Sequence, residues 1–275
     1  MWYNLKTRLL SAIVLIVILL AVVFIAADWV FSLAVCALTF MIMAELTKVM
    51  RLETKPGIVI TNYIFAAAYM ALGFLNLETQ TPFVYLITIL FVMTLGAFVV
   101  LDNSRIKLSD VCASIFLVVY SVVFLMHLSF IRRLDNGIAL LFMALIGAYV
   151  TDTGAYFTGL SIGKHKLIPT VSPNKTVEGA VGGIAAAICG FIIYGVIMSS
   201  MGFNVNYALL IILGALCAVV AQLGDLTASV IKRNYSVKDF GHLIPGHGGM
   251  VDRVDSLMFV APVVYYFITF LPVIQ

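Results

Sequence analysis

Residues 82–101 read PFVYLITILFVMTLGAFVVL, a run of twenty residues without a single charge. A helix needs roughly 20 mostly apolar residues to cross the hydrocarbon core of a bilayer, so this run predicts a transmembrane helix. Comparable runs occur on both sides of it. With 63% hydrophobic and 11% charged residues, the chain has too little polar surface for a soluble globule of its size. The sequence therefore predicts an integral membrane protein.

The apolar runs can be placed along nearly all of the 275 residues. Their approximate bounds are 9–27, 29–46, 57–76, 82–101, 111–131, 137–160, 178–200, 207–231 and 255–274. We predict an all-α polytopic membrane protein with about nine transmembrane helices. Residues 1–275 are expected to form a single integral membrane domain, in which 1–131 supplies the N-terminal helices and 137–275 carries the polar motifs.

Basic residues are distributed unevenly between the two sides of the predicted membrane protein. If every span carries the chain across, Arg132 and Arg133 share one side, and all the rest of the 16 Lys and Arg residues lie on the other. The positive-inside rule makes the richer side cytoplasmic, with the N-terminus inside and the C-terminus outside. Lys6 and Arg8 before the first run would also suit a signal peptide, but the run is long for one and a second follows at once. A retained first helix is therefore favoured.

Two segments on the predicted cytoplasmic side contain most of the polar and charged residues that could form a functional site. The first contains DTGAY at 152–156 and SPNKT at 172–176, and the second extends from Gln222 to Ser256. Any one of these residues would suit a helix cap or a side chain that reaches toward the membrane surface. Such roles explain poorly why acidic, basic, hydroxyl and glycine-rich elements gather in two segments. The grouping favours a functional site.

Carboxylates within predicted spans indicate what this site binds. An acid there costs about 2.5–3.5 kcal/mol on insertion scales, so Asp152 and Asp225 need partners, a metal or a wet cavity. Asp225, Ser229 and Lys232 are spaced i, i+4 and i+7, on one stripe of a helix. Cations beside hard carboxylates and glycine-rich turns are typical of sites that bind phosphates through Mg²⁺. A zinc site that uses His242 and His247 with Asp239 and Asp252 is the weaker alternative.

Residues 229–255 read SVIKRNYSVKDFGHLIPGHGGMVDRVD, and this run resembles the signature of the phosphatidate cytidylyltransferase family, also called CDP-diacylglycerol synthases. The DTGAY and SPNKT segments are similar to that family as well. The resemblance implies transfer of a cytidylyl group from CTP to phosphatidic acid, giving CDP-diacylglycerol and pyrophosphate. It also implies an active site at the cytoplasmic face of the plasma or inner membrane, and a homodimer. CTP, phosphatidic acid and the lipid bilayer are the expected partners, and no nucleic acid is expected.

By motif position the resemblance assigns a role to two residues, and the charge pattern suggests roles for others. Asp225 and Asp252 would hold Mg²⁺, with a monovalent cation such as K⁺ alongside. The further residues expected to act in catalysis are Lys232, Arg233, Lys238, Asp239, His247, Arg253 and Asp255. Those expected to contact the nucleotide or its phosphates are Asp152, Ser172, Asn174, Lys175, Thr176, Ser229, Gly248 and Gly249. By charge alone, the basic members of the first set are suited to neutralise a triphosphate and a lipid phosphate.

Other classes of membrane protein remain alternatives. A CTP-dependent lipid kinase of the polyprenol type would bind the same nucleotide but transfer the γ-phosphate to an alcohol. An ion-coupled transporter would also use intramembrane acids, although it predicts polar residues near the bilayer midplane and matching features in two halves of the chain. A structural scaffold explains least, because it has no need of a phosphate site.

Overall fold

A computed structural model describes residues 20–24, 26–72, 77–241 and 248–274. This part of the chain is mostly helical, and seven of its helices are long and apolar enough to cross a membrane. The predicted span at 57–76 corresponds to a shorter apolar helix, Pro56–Leu72. Of the predicted span at 9–27, only residues 20–24, 26 and 27 are among the described residues. The prediction of a helical, multi-pass protein is confirmed.

The first of two compact units contains the N-terminal helices and also the segment Val237–Val251. Its helices are α1 (Asp28–Val49), α2 (Pro56–Leu72), α3 (Leu77–Leu101) and α4 (Leu108–Arg132). A short 3₁₀ turn at Leu52–Thr54 separates α1 from α2, and a π-helical segment at Val119–Val123 interrupts α4. In the most apolar stretches, 61% of residues are buried in α4 but only 11% in α3, so α4 is the central helix of this unit and α3 a peripheral one.

The second unit contains the remaining helices and a small sheet. Its elements are α5 (Gly137–Ile162), β1 (Lys166–Ile168), β2 (Ser172–Thr176), α6 (Val177–Ser200), α7 (Tyr207–Asn234) and α8 (Val251–Phe270), of which α8 joins this unit from Asp252 onward. A π-helical segment at Ile146–Val150 lies in α5 just before Asp152. Such segments occur frequently at functional sites.

Glycines allow the helices of the second unit to approach closely. A Cβ atom on Gly183 of α6 would lie 3.0 Å from the carbonyl oxygen of Thr151 in α5, so the two backbones are nearly in contact there. A Cβ atom on Gly224 of α7 would lie only 2.5 Å from the carbonyl oxygen of Asp255 in α8. Small residues at helix interfaces are characteristic of membrane proteins. Helices in lipid associate through close van der Waals packing, because the hydrophobic effect does not drive them together there. This packing brings Asp152, Asp225 and Asp255 into one neighbourhood.

Two features differ from the sequence prediction. The all-α assignment missed the antiparallel hairpin of β1 and β2, which pairs Lys166 with Thr176 and Ile168 with Ser172. Helix α8 begins at Val251, whereas hydropathy predicted a start at residue 255. The earlier start places Asp252 in the first helical turn, and hydropathy excluded this turn because of its charges.

Candidate active site

The hairpin is fixed in place by Glu178, in the first turn of α6. Its carboxylate accepts the backbone N–H groups of Lys164, at 3.1 Å, and His165, at 3.2 Å, and lies 2.6 Å from Nδ1 of the His165 ring. The backbone N–H of Val177 donates to the carbonyl oxygen of His165 at 2.9 Å. The chain that enters β1 is therefore tied to the chain that leaves β2. This arrangement holds β2 beside the start of α6.

A cavity of about 470 Å³ lies where β2 meets helices α5, α6 and α7 of the second unit. Five of the predicted site residues line it: Asp152, Asn174, Lys175, Thr176 and Asp225. Lys175 forms an ion pair with Asp225, and their side chains remain 25% and 32% exposed. The volume is within the range of about 300–1,000 Å³ that is usual for small-molecule sites. Two segments separated in sequence thus contribute opposite charges to one cavity.

Gln222 also lines this cavity, on the turn of α7 before Asp225, although the sequence analysis named it only as the start of the second segment and gave it no role. Its side-chain nitrogen donates to the carbonyl oxygens of Ala180, at 3.2 Å, and Ala218, at 3.1 Å. These bonds orient the amide and connect α7 to α6. A polar amide in the middle of an apolar run was the only available signal, and that signal alone does not separate a binding residue from a packing one.

A second ion pair joins α7 to α8. Lys232 donates from Nζ to a carboxylate oxygen of Asp252 at 2.7 Å, and the Asp252 side chain is only 9% exposed. Asp255 lies one turn further along α8, where its carboxylate interacts electrostatically with both Asp225 and Lys232. The spacing in the sequence placed Lys232 on the same stripe as Asp225, but its partner is Asp252. Both predicted metal ligands therefore carry a lysine partner.

Other predicted residues of the second unit lie on the same elements as these pairs. Ser172 lies at the start of β2, and Arg233 at the end of α7 donates from Nε to the carbonyl oxygen of Val171 at 3.2 Å. Ser229 is partly buried on α7, and Arg253 is exposed on the first turn of α8. Arg233 is thus connected to the hairpin that carries Lys175.

The central part of the signature belongs to the first unit. Lys238 and Asp239 are exposed there, and Gly249 is buried. Gly248 has a φ of 79°, a left-handed conformation that glycine adopts without strain. The remaining predicted residue, His247, lies outside the described residues, as does His242 of the zinc alternative.

The carboxylates suit a hard divalent cation that arrives with phosphates. Within the part of the chain that the structure describes, no group of three or more His, Cys, Asp or Glu side chains is arranged to hold a metal ion. Mg²⁺ fits a site with fewer protein ligands, because it is commonly bound by one or two carboxylates together with substrate phosphates and water. Among the residues that the structure describes, no cluster of thiols or imidazoles accompanies Asp225 and Asp252, which is consistent with that mode.

Fold and site together define a multi-pass helical membrane protein with two lysine–aspartate pairs, one of which, Lys175 with Asp225, lines a cavity. A family model described as the cytidylyltransferase family matches residues 6–271. The chain belongs to this family.

Curated relatives with the same printed name are similar over part of their length. The phosphatidate cytidylyltransferase of Staphylococcus saprophyticus is 42% identical over 166 residues, which is 60% of this chain and 62% of that protein. The phosphatidate cytidylyltransferase of Bacillus subtilis is 45% identical over 137 residues, half of each chain. The chain thus spans between half and two thirds of the length of these relatives.

Proposed function

We propose that this protein is a phosphatidate cytidylyltransferase, which transfers a cytidylyl group from CTP to phosphatidic acid and releases pyrophosphate. The observation that carries the proposal is the cavity at which Lys175 of β2 pairs with Asp225 of α7. It joins a cation and a carboxylate from the two segments whose motifs are similar to that family. Family membership and the printed names of the relatives support the same reaction.

The two ion pairs suggest how charges rearrange when substrates bind. Each carboxylate is neutralised by a lysine, Asp225 by Lys175 and Asp252 by Lys232. A triphosphate and a lipid phosphate bring several negative charges, to which both ammonium groups can turn on their flexible stems. Asp225 and Asp252 would then hold Mg²⁺, which supplies neutralisation of the phosphate charge, with a monovalent cation such as K⁺ alongside. The lysines thus serve as counterions before binding and as phosphate ligands after it.

The reaction requires little proton transfer. An oxygen of the phosphatidate phosphate, already anionic at neutral pH, attacks the α-phosphorus of CTP. A new P–O bond forms, and the bond between the α-phosphorus and the oxygen that bridges to the β-phosphate breaks, so pyrophosphate leaves with that electron pair. The protein contributes by aligning the two phosphates and by neutralising their charge, for which Lys175 and Lys232 are placed.

The reaction can be tested with purified protein, phosphatidic acid, Mg²⁺ and CTP labelled on either the α- or the γ-phosphate. The proposal predicts that the α-label enters the lipid and that the γ-label appears in pyrophosphate. EDTA should abolish turnover, and diacylglycerol should not act as an acceptor because it lacks the nucleophilic phosphate. Entry of the γ-label into diacylglycerol or a polyprenol would instead establish a lipid kinase.

We further propose nine spans in the plasma or inner membrane, with the N-terminus and the active site at the cytoplasmic face and the C-terminus outside. The distribution of basic residues supports this orientation. In a cysteine-free background, single cysteines near residues 51, 105, 170 and 240 should resist an impermeant thiol reagent in intact cells. Labelling at 170 or 240 from outside would contradict the orientation. The proposed homodimer can be tested separately, from the mass of the detergent-solubilised protein.

A further inference from the structure

A carboxylate from an N-terminal helix holds the end of the signature segment. Glu45 lies one turn before the end of α1 and is partly buried. Its Oε1 accepts the backbone N–H of Met250 at 2.9 Å, and its Oε2 accepts that of Val251 at 3.0 Å. Both oxygens of one side chain are therefore used by consecutive residues more than 200 positions further along the chain. All of these residues belong to the first unit.

Two glycines of the same segment leave room for this carboxylate. A Cβ atom on Gly241 would lie 2.6 Å from Oε1 of Glu45, and one on Gly249 would lie 2.7 Å from Oε2. A Cβ atom on Gly249 would also lie 2.7 Å from the backbone nitrogen of Gly241. Backbone from positions 241 and 249 thus meets around a single carboxylate, and any side chain there would displace it.

The charges at the two helix ends favour this contact. Glu45 is near the C-terminal end of α1, where the helix dipole disfavours a negative charge. The two N–H groups that it accepts stand at the beginning of α8, where the dipole favours one. A helix cap alone would stabilise the protein by about 0.5–2 kcal/mol. Capping does not explain why the capped residues are those that directly precede Asp252 in the chain, and why Gly249 of the signature packs against the same carboxylate.

We propose that Glu45 is a positioning residue of the active site. It holds Gly249, Met250 and Val251 in one conformation, so that the chain enters α8 with Asp252 oriented to hold a divalent cation. The inference rests on the proposed function, because Asp252 has this role only if the reaction uses such an ion. Glu45 itself would touch neither substrate nor cation.

Glu45→Ala and Glu45→Gln test this role, with Glu53→Gln as the matched control because Glu53 is exposed on the turn after α1. Glu45→Ala should lower kcat by about 10- to 100-fold, as removal of a residue that orients a metal ligand commonly does, and raise the Mg²⁺ concentration for half-maximal rate. KM for phosphatidic acid should change little. Glu45→Gln retains the shape of the side chain and one acceptor oxygen, so its kcat and Mg²⁺ dependence should lie between those of Glu45→Ala and wild type. Glu53→Gln should have the kcat and Mg²⁺ dependence of wild type.

A double-mutant cycle supplies a measurement that does not depend on turnover. The three atoms nearest to a Cβ atom on Gly241 all belong to Glu45, so Gly241→Ala should lower the melting temperature in wild type and much less in Glu45→Ala. Gly249→Ala should remain harmful in both backgrounds, because its Cβ atom also meets the Gly241 backbone. Mg²⁺-dependent CTP binding, followed as a thermal shift, should weaken in Glu45→Ala but not in Glu53→Gln.

The outcomes separate this inference from the proposed function. In one outcome, the wild type is active, and Glu45→Ala lowers the melting temperature but leaves kcat and the Mg²⁺ dependence unchanged. That result would overturn the positioning role, and Glu45 would be a purely structural cap. Additive melting shifts for Gly241→Ala and Glu45→Ala would overturn the packing argument. A wild-type protein that makes no CDP-diacylglycerol would overturn the proposed function, and the inference with it.

Discussion

Two lysine–aspartate pairs of similar burial have different surroundings. Lys55 pairs with Asp110 in the first unit, with side chains 20% and 18% exposed, and Lys175 pairs with Asp225 in the second, at 25% and 32%. Asp110 also accepts the backbone N–H of Lys107 at 2.8 Å, so it caps the beginning of α4. Asp225 lies within α7, where no helix end needs it, and faces a cavity. Position within the helix, and not the ion pair itself, distinguishes the candidate site.

The energies of the two pairs support this distinction. A partly exposed ion pair contributes about 0–1 kcal/mol, which a helix cap can supplement. A carboxylate inside a span costs about 2.5–3.5 kcal/mol on insertion scales, which such a pair does not offset. Asp110 is therefore explained by local stability. Asp225 requires a further reason, and binding of a cation and phosphates supplies one.

The largest expected effect is on the two proposed metal ligands. Asp225→Asn and Asp252→Asn keep the shape of each side chain but remove its charge, so each variant should fold and insert while losing at least about 100-fold in kcat. Asp110→Asn is the matched control, and its rate should stay close to wild type. Rates of CDP-diacylglycerol formation at several Mg²⁺ concentrations provide the measurement. Near-normal activity and Mg²⁺ dependence in both Asp225→Asn and Asp252→Asn would refute the proposed site.

A smaller effect is expected for the lysines of the same two pairs. Lys175→Met removes one of several cations near the phosphates and should lower kcat/KM for CTP by about 10-fold or more. Lys55→Ala, on the other pair, and Arg105→Ala, on a loop outside the motifs, should be much milder. Steady-state kinetics with CTP varied would detect the difference. Equal losses in Lys175→Met and Lys55→Ala would mean that both pairs act only through stability.

Local sequence patterns predicted the family and the approximate bounds of most of the described helices. Runs of apolar residues predicted α6 at 178–200 and α7 at 207–231, close to the observed Val177–Ser200 and Tyr207–Asn234. Hydropathy succeeds here because each span satisfies its own backbone hydrogen bonds, so its bounds depend on its own residues. The signature run predicted family membership, which the family model confirms.

Features that depend on long-range contacts could not be predicted in this way. The hairpin strands have only three and five residues, too few for the alternation that indicates a strand, and Glu178 fixes them from the next helix. Glu45 was one acid near the end of a predicted span, and its partners are more than 200 residues away. The pairing of Lys232 with Asp252 depends on how α7 and α8 pack. No short stretch of sequence indicates any of these contacts, because each joins residues that are far apart in the chain or depends on helix packing.

Helix packing beside the site should be more sensitive than packing at the periphery. Gly224→Ala would place a methyl group against the α8 backbone next to Asp225 and Asp255, and overpacking of this kind costs about 1–3 kcal/mol. Gly96→Ala is the control, because a Cβ atom there meets nothing within 4 Å and alanine favours helix. Thermal unfolding in detergent should show a lower melting temperature for Gly224→Ala and an unchanged or higher one for Gly96→Ala. A harmless Gly224→Ala would contradict the close approach of α7 and α8.

The smallest effect separates two helix caps of the second unit, only one of which is beside the candidate site. The hydroxyl of Thr176 accepts the N–H of Gly179 at 3.1 Å, and the side chain of Asn206 accepts that of Leu209 at 3.2 Å. Thr176→Val and Asn206→Ala should each reduce stability by about 0.5–2 kcal/mol, measured as a lower melting temperature. Because Thr176 also lines the cavity, Thr176→Val should in addition raise KM for CTP, whereas Thr176→Ser restores the acceptor and should restore both properties. If Asn206→Ala raised KM as much as Thr176→Val did, the change in KM would reflect lost stability and the cavity would not be the nucleotide site.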